Sequence, residues 1–203
     1  MIEPMEPVYF HCTGCDLISI DEANFLDRQE ELNRYSQHKN TLDNQGYVAN
    51  FEKFIKTAKI DTLENTKKAL DYGCGPGPVL QKLLEKLGFA TDIYDPFFYP
   101  TQSFLKKRYD LITCTEVLEH LKNPLATLRI LEFLLEEDGV LAVTTLFHTS
   151  TKDFKNWWYR RDATHIIFYS PKTFHWLAEQ LNLSLEFTDD KSICVLKKTN
   201  SPQ

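Results

Sequence analysis

The sequence predicts an α/β fold, a doubly wound and mostly parallel sheet that ends in an antiparallel hairpin. Three observations carry that expectation. Residues 67–72 form an apolar run into Gly73, Gly75 and Gly77, after which Val79, Leu80, Leu83, Leu84 and Leu87 recur at the three-and-four spacing of an amphipathic helix. Further strand-like runs at 89–95, 109–115 and 139–146 extend the strand-and-crossover pattern of a parallel sheet. The last two runs, 183–188 and 192–197, flank Asp189-Asp190-Lys191 closely enough to pair as a hairpin.

Residues 1–60 read as an arm before the main domain, 61–203. In the arm, Tyr9-Phe-His11-Cys12-Thr-Gly-Cys15-Asp-Leu-Ile-Ser resembles one knuckle of a zinc ribbon. A structural zinc needs four ligands, normally from two such knuckles, so this one reads as a degenerate remnant and no metal is expected. Asp21 to Asn40 reads as helical with acids in its first turn, which suits the helix dipole. A second helix begins near Gly46 after the turn-forming Leu42-Asp-Asn-Gln. Tyr35, His38 and Tyr47 on these segments are candidates for a lid or for packing of helix on sheet.

The main domain opens with Leu-Asp-Tyr-Gly-Cys-Gly-Pro-Gly at 70–77. Glycines admit backbone conformations and close approaches that a Cβ blocks, and the following helix start offers free N–H groups to a ligand. The dinucleotide fingerprint spaces its glycines G-x-G-x-x-G, whereas this turn reads D-x-G-x-G-x-G with Asp71 two residues ahead. Phe89 to Asp95 is the next strand and ends in an acid followed by Pro96, Phe97 and Phe98. Tyr109 to Thr115 then runs into Glu116-Val-Leu-Glu-His120. Pro124 to Leu135 is helical, and Glu136-Glu-Asp-Gly precedes the strand at 139–146. Ser170-Pro171 opens the last helix, with serine as cap and proline at its first position.

These motifs together resemble the class I S-adenosylmethionine-dependent methyltransferases, whose fold is Rossmann-like. The resemblance implies S-adenosyl-L-methionine as cofactor, with Asp71 near its amino group and Gly73, Cys74, Gly75 and Gly77 against its backbone. It places Asp95 at the ribose hydroxyls, Pro96 and Phe97 beside the adenine, and Cys114, Thr115 and Glu116 along the methionine part. The thirteen residues Pro96 to Arg108 leave no room for the helix and strand usual there. A sheet of about six strands is therefore expected, with Phe97, Phe98 and Tyr99 holding the adenine by apolar contact.

Phe154 to Pro171 gathers aromatics, Arg160, Arg161, Asp162 and His165, and its Trp-Trp-Tyr-Arg-Arg-Asp-x-Thr-His run resembles a bacterial group of small-molecule methyltransferases. Aromatic walls with a few polar groups describe a pocket with orienting contacts. Trp158 is a candidate wall residue, and Arg160 or Arg161 a clamp for a substrate anion or a partner of Asp162. His165 is the candidate general base for a hydroxyl acceptor, or else a brace for its own loop.

A formal net charge of −6 disfavours a nucleic-acid backbone as partner, and no apolar run approaches the about eighteen residues of a membrane span. Five cysteines, an odd count, argue against a disulfide framework, and the N-terminus lacks the basic and apolar segments of a secretory signal. A cytoplasmic enzyme acting on a small molecule is the expectation. A protein that only binds the cofactor, or a nicotinamide-dependent oxidoreductase, are the other readings.

Overall fold

The computed structural model describes residues 5–37, 40–64 and 67–199. A six-stranded sheet runs β4-β3-β5-β6-β9-β8 and comprises β3 (Lys68–Tyr72), β4 (Ala90–Tyr94), β5 (Tyr109–Thr115), β6 (Leu135–Thr144), β8 (Leu183–Thr188) and β9 (Ile193–Lys198). Strands β4, β3, β5 and β6 pair in parallel, while β9 is antiparallel to both β6 and β8. This is the expected α/β architecture with its terminal hairpin and about six strands.

Alternation along the strands builds two cores. Leu70, Ile112, Cys114 and Leu141 face one side, where α4 (Pro124–Leu134) and α5 (Pro171–Gln180) bury Leu128, Leu131, Phe174 and Leu177. Ala69, Leu111 and Ala142 face the other, against α2 (Gln45–Thr57) and α3 (Val79–Lys86). Val79, Leu80, Leu83 and Leu84 of α3 are buried as the stripe predicts, whereas Leu87, the fifth member, lies at the C-cap past the packed turns and is exposed. Burying each such leucine stabilises the fold by about 1.5–3 kcal/mol.

The N-terminal arm is woven into the rest. Strands β1 (Tyr9–His11) and β2 (Ile18–Ile20) form a hairpin, and β2 pairs antiparallel with β7 (Ile167–Phe168), giving a second, three-stranded sheet. Ile18, Phe154, Tyr159 and Phe168 make its small core.

Two elements depart from the sequence expectation. The helix expected over Asp21 to Asn40 is split into a 3-10 turn (Glu22–Asn24) and α1 (Arg28–Tyr35). The reason is a capping box: Asp27 accepts from the backbone of Gln29 and Glu30, and Glu30 returns a bond to the Asp27 N–H. The strand expected to begin at Gly139 begins instead at Leu135, taking Glu136 to Asp138 into β6, whose register against β5 shifts between Tyr109 and Leu111. Asp138, at φ +61, accommodates that irregularity. Between β4 and β5 there is only a 3-10 segment (Gln102–Lys106), as the short spacing predicts. Among the described residues no helix is long and apolar enough to cross a membrane.

Candidate active site

A cavity of 1090 Å³ lies over the C-terminal ends of β3, β4 and β5, where a sheet of this kind opens between its crossovers. One end is the glycine turn. Gly73 takes φ +82, and a Cβ there would lie 2.2 Å from Val117 Cγ2, so no other residue fits. A Cβ on Gly77 would lie 1.7 Å from the Asn40 carbonyl oxygen, because the chain entering α2 crosses directly over the turn.

Asp71 is 2% exposed and lines this end. Its Oδ1 accepts from Thr113 Oγ1 at 3.0 Å. Burial, with Asp95 adding to it, pushes its carboxyl up to about 7. Asp95 has its carboxylate occupied by backbone: Gly75 N–H donates to Oδ2 at 3.1 Å, and the Phe97 and Phe98 N–H groups donate to Oδ1 at 2.9 and 3.1 Å. It thereby ties the glycine turn to the Pro96 turn. Asp92, on the opposite face of β4, is held by Lys107 and Tyr109 away from the cavity.

The other end is assembled from β5, the short helix Leu118–His120 and the 158–165 loop. Glu116 adopts φ +52, a left-handed conformation in which non-glycine residues are uncommon and which concentrates at functional positions. Its Oε1 accepts from Thr144 Oγ1 at 3.0 Å, and its Oε2 lies 3.0 Å from Tyr159 Oη. Burial and the neighbouring Glu119 push the Glu116 carboxyl up to about 7. Glu119 is fully buried; its Oε1 meets the same Tyr159 hydroxyl, and its Oε2 has no hydrogen-bond partner among the described residues.

Two histidines close this end. The Nδ1–H of His165 donates to the Tyr159 carbonyl at 2.8 Å, and that of His120 to the Thr164 carbonyl at 2.9 Å; a carbonyl only accepts, which fixes both tautomers. Burial, then His120, lowers the His165 ring to about 4, so it is neutral near pH 7. One donor atom from each of Glu119, His120 and His165 lies within 4.8 Å of the others, the spacing a cation would need. Cys12 and Cys15 are free thiols elsewhere, Cys12 exposed and Cys15 buried.

Of the residues singled out in the sequence, Asp71, Gly73, Cys74, Gly75, Asp95, Pro96, Phe97, Thr115, Glu116, Tyr35, Tyr47, Trp158 and His165 all line the cavity. Tyr35 packs edge-on to both Phe97 and His120, and Tyr47 against Phe51. Trp158 stands at the cavity mouth, 65% exposed. Cys114 is completely buried beneath the strand end, and Gly77 serves the Asn40 crossing instead of the wall. Arg160 turns outward, donating to the Lys155 carbonyl and lying over Tyr9, and Arg161 is also off the wall. The partner of Asp162 is Arg34 of α1, at 2.5 Å, and not either neighbouring arginine. His38 falls outside the described residues.

Sequence reasoning missed Asn40, Glu119 and Tyr159. Glu119 sits three residues beyond Glu116, but only Glu119 lies on the short helix Leu118–His120, so no local periodicity pairs the two carboxyls. The other two meet the site only through long-range contacts.

A family model described as a methyltransferase domain matches residues 42–186. Curated relatives include proteins named ubiquinone biosynthesis O-methyltransferase. The one from Histophilus somni is 30% identical over 45% of this chain and 48% of its own. The one from Glaesserella parasuis is 33% identical over 41% and 47%. The chain thus spans about half the length of the curated relatives it matches. Among solved structures, magnesium protoporphyrin IX methyltransferase from Synechocystis PCC 6803 with bound SAH superposes at a TM-score of 0.58, with 14% identity over 86% of this chain and 89% of that one. CalO1, a methyltransferase in calicheamicin biosynthesis, superposes at 0.54, with 14% identity over 73% and 54%. At that identity the superpositions speak for the shared fold. With the family model covering most of its length, the chain belongs to the methyltransferase domain family.

Proposed function

We propose that this chain is an S-adenosyl-L-methionine-dependent methyltransferase that passes a methyl group by in-line displacement to a hydroxyl of a small aromatic acceptor. The observation that carries the reading is Asp71, a buried carboxyl facing the cavity beside a glycine turn, with a hydroxyl as its bonded side-chain partner. A carboxyl in that position is stabilised in its ionised form by a cationic amine, which is the group the methionine part of the cofactor offers. The narrow turn fits as well, since a Cβ on Gly75 would come within 2.9 Å of Asn40 Nδ2. When bound, the cofactor supplies an electrophilic methyl carbon on a positively charged sulfur.

The residues of the chain do the rest. Asp71 and the glycine turn hold the amino acid part, while Phe97 and Phe98 offer an apolar face at the β4 end. Tyr35, Tyr47 and Trp158 wall the cavity against water, which a displacement at carbon requires. The Arg34–Asp162 pair fastens α1 to the loop that carries His165. Support for an oxygen acceptor comes from the names of the curated relatives and from the carboxyl-rich end of the cavity. The free state of all five cysteines agrees with a reducing, cytoplasmic setting.

Calorimetry with adenosylhomocysteine and with NAD, followed by transfer of labelled methyl to a panel of phenols and catechols, tests this. Binding of the first ligand alone together with labelled product is the expected result. Preference for NAD would overturn the cofactor, and tight binding with no labelled product from any acceptor would favour a non-catalytic binding protein.

A further inference from the structure

The chain between β4 and β5 adds nothing to the cavity wall from Tyr99 to Cys114, and Gln102 and Ser103 of its 3-10 segment lie off the wall. The end of the cavity at Phe97 therefore takes its polar groups from elsewhere, and α1 supplies them. Arg28, Glu31 and Tyr35 are three and four residues apart and share one face of that helix. The Arg28 guanidinium lies 4.6 Å over the Phe97 ring and donates to the Pro96 carbonyl at 2.9 Å. The Tyr35 ring meets Phe97 edge-on at 5.3 Å. Glu31 stands between these two anchors, partly buried, and lines the cavity. Lys122, also on the wall, and Arg28 attract its carboxyl.

Hydrogen bonding at this end narrows the choice of acceptor. The Asp95 carboxylate is engaged by the Gly75, Phe97 and Phe98 N–H groups, and the Pro96 carbonyl by Arg28. Arg28 and Lys122 can only donate. Glu31 is the side-chain acceptor left beside Phe97: burial and neighbouring charges act on its carboxyl, which holds no hydrogen bond among the described residues.

We infer that Glu31 recognises the base of the cofactor, accepting a hydrogen bond from the exocyclic amine of an adenine seated against Phe97. The inference rests on the S-adenosyl-L-methionine reading above. Apolar contact with Phe97 and Phe98 holds any purine alike, whereas an acceptor at the ring edge selects the one that bears an amine. A bond to a carboxylate is also stronger than one to a neutral acceptor. Because Glu31 belongs to α1, engaging the base fastens this helix over the cavity. The Arg34–Asp162 pair near the C-terminal end of α1 ties the same helix to the loop that carries His165.

The test compares two ligands on the purified full chain by calorimetry: adenosylhomocysteine, and its analogue in which hydrogen replaces the adenine amine. The native protein should prefer the amine-bearing ligand by about 10–100-fold, the worth of one hydrogen bond to a charged group. Glu31→Ala should bring the two ligands within about threefold of each other by weakening the first and sparing the second. Glu31→Gln, whose amide oxygen still accepts but without charge, should keep a preference of about 2–10-fold. If Glu31 only holds α1 in place, Glu31→Ala will weaken both ligands together and leave their ratio unchanged, and that result overturns the inference. Equal binding of the two ligands by the native protein overturns it as well, with the methyl-transfer reading left standing. A native protein that binds neither ligand defeats that reading, and the role given to Glu31 falls with it.

Discussion

The two ends of the cavity are built on opposite plans. The glycine-turn end uses Asp71, the turn and Asp95, which are near in sequence and sit on the tips of two adjacent parallel strands. The far end uses Glu116, Glu119, Tyr159 and His165, joined to α1 by a contact spanning 128 residues and to β2 through β7. The first is fixed by backbone geometry and admits little variation. The second is held by side chains from separate elements, so its bonds can be changed one at a time. On the proposed function, the difference would put cofactor recognition in a rigid turn and acceptor chemistry in a network that packing holds together.

The largest effect should fall on the rigid end. On the proposed function, Asp71→Asn removes the anion that pairs with a cationic amine, and calorimetry should show adenosylhomocysteine binding weakened at least about 100-fold, or about 3 kcal/mol. Equal affinity in the variant would end the contrast between the two ends. The same carboxyl governs the stability of the ligand-free protein. Its folded value, about 7, lies above the unfolded one, so the proton is favoured in the folded state. The resulting stability is complete below about pH 4 and is lost as pH rises through about 7, on the order of 4 kcal/mol in all. Thermal melts of the native protein should decline over that window, and Asp71→Asn should flatten the decline; Glu116 and Glu119, also raised to about 7, leave a residual slope of the same sign.

Gly77→Ala comes next. Its new methyl group cannot share space with the Asn40 carbonyl, so the crossing segment must move, at a cost of about 1–3 kcal/mol in urea unfolding together with weaker cofactor binding. An unchanged midpoint would show that the crossing is loose. Smallest is Arg34→Ala. Burial raises the Asp162 carboxyl, but its bonds to Arg34 and Thr164 outweigh that and hold it well below the usual range. Arg34 is nearly half exposed, so screening limits the loss to about 1 kcal/mol by urea unfolding. A loss several times larger would mean that the far end is as rigid as the near one.

Most of the fold and one half of the site were legible in the sequence. Alternation in the strands, the stripe of α3 and the glycine spacing are local properties, and the short stretch after Asp95 announced the missing strand and helix. The Ser170-Pro171 start of α5 was equally plain, since a cap and its proline are neighbours. The break before α1 was missed although its capping box, Asp27 with Glu30, was there to read. The pairing of β2 with β7 could not be read, because both strands are very short and lie far apart in the chain.

The sequence by itself therefore determined the class of sheet, the glycine turn at one end of the cavity and the acids at the ends of β3 and β4, since each depends on residues within a few positions of one another. Tertiary structure alone decided that Asn40 closes over the turn, that Asp162 is paired with Arg34 while Arg160 faces outward, and that Tyr159 stands between two glutamates. These outcomes depend on which side chain reaches which neighbour across the fold. Burial then sets the charge of each carboxyl, and burial is a property of the packed molecule.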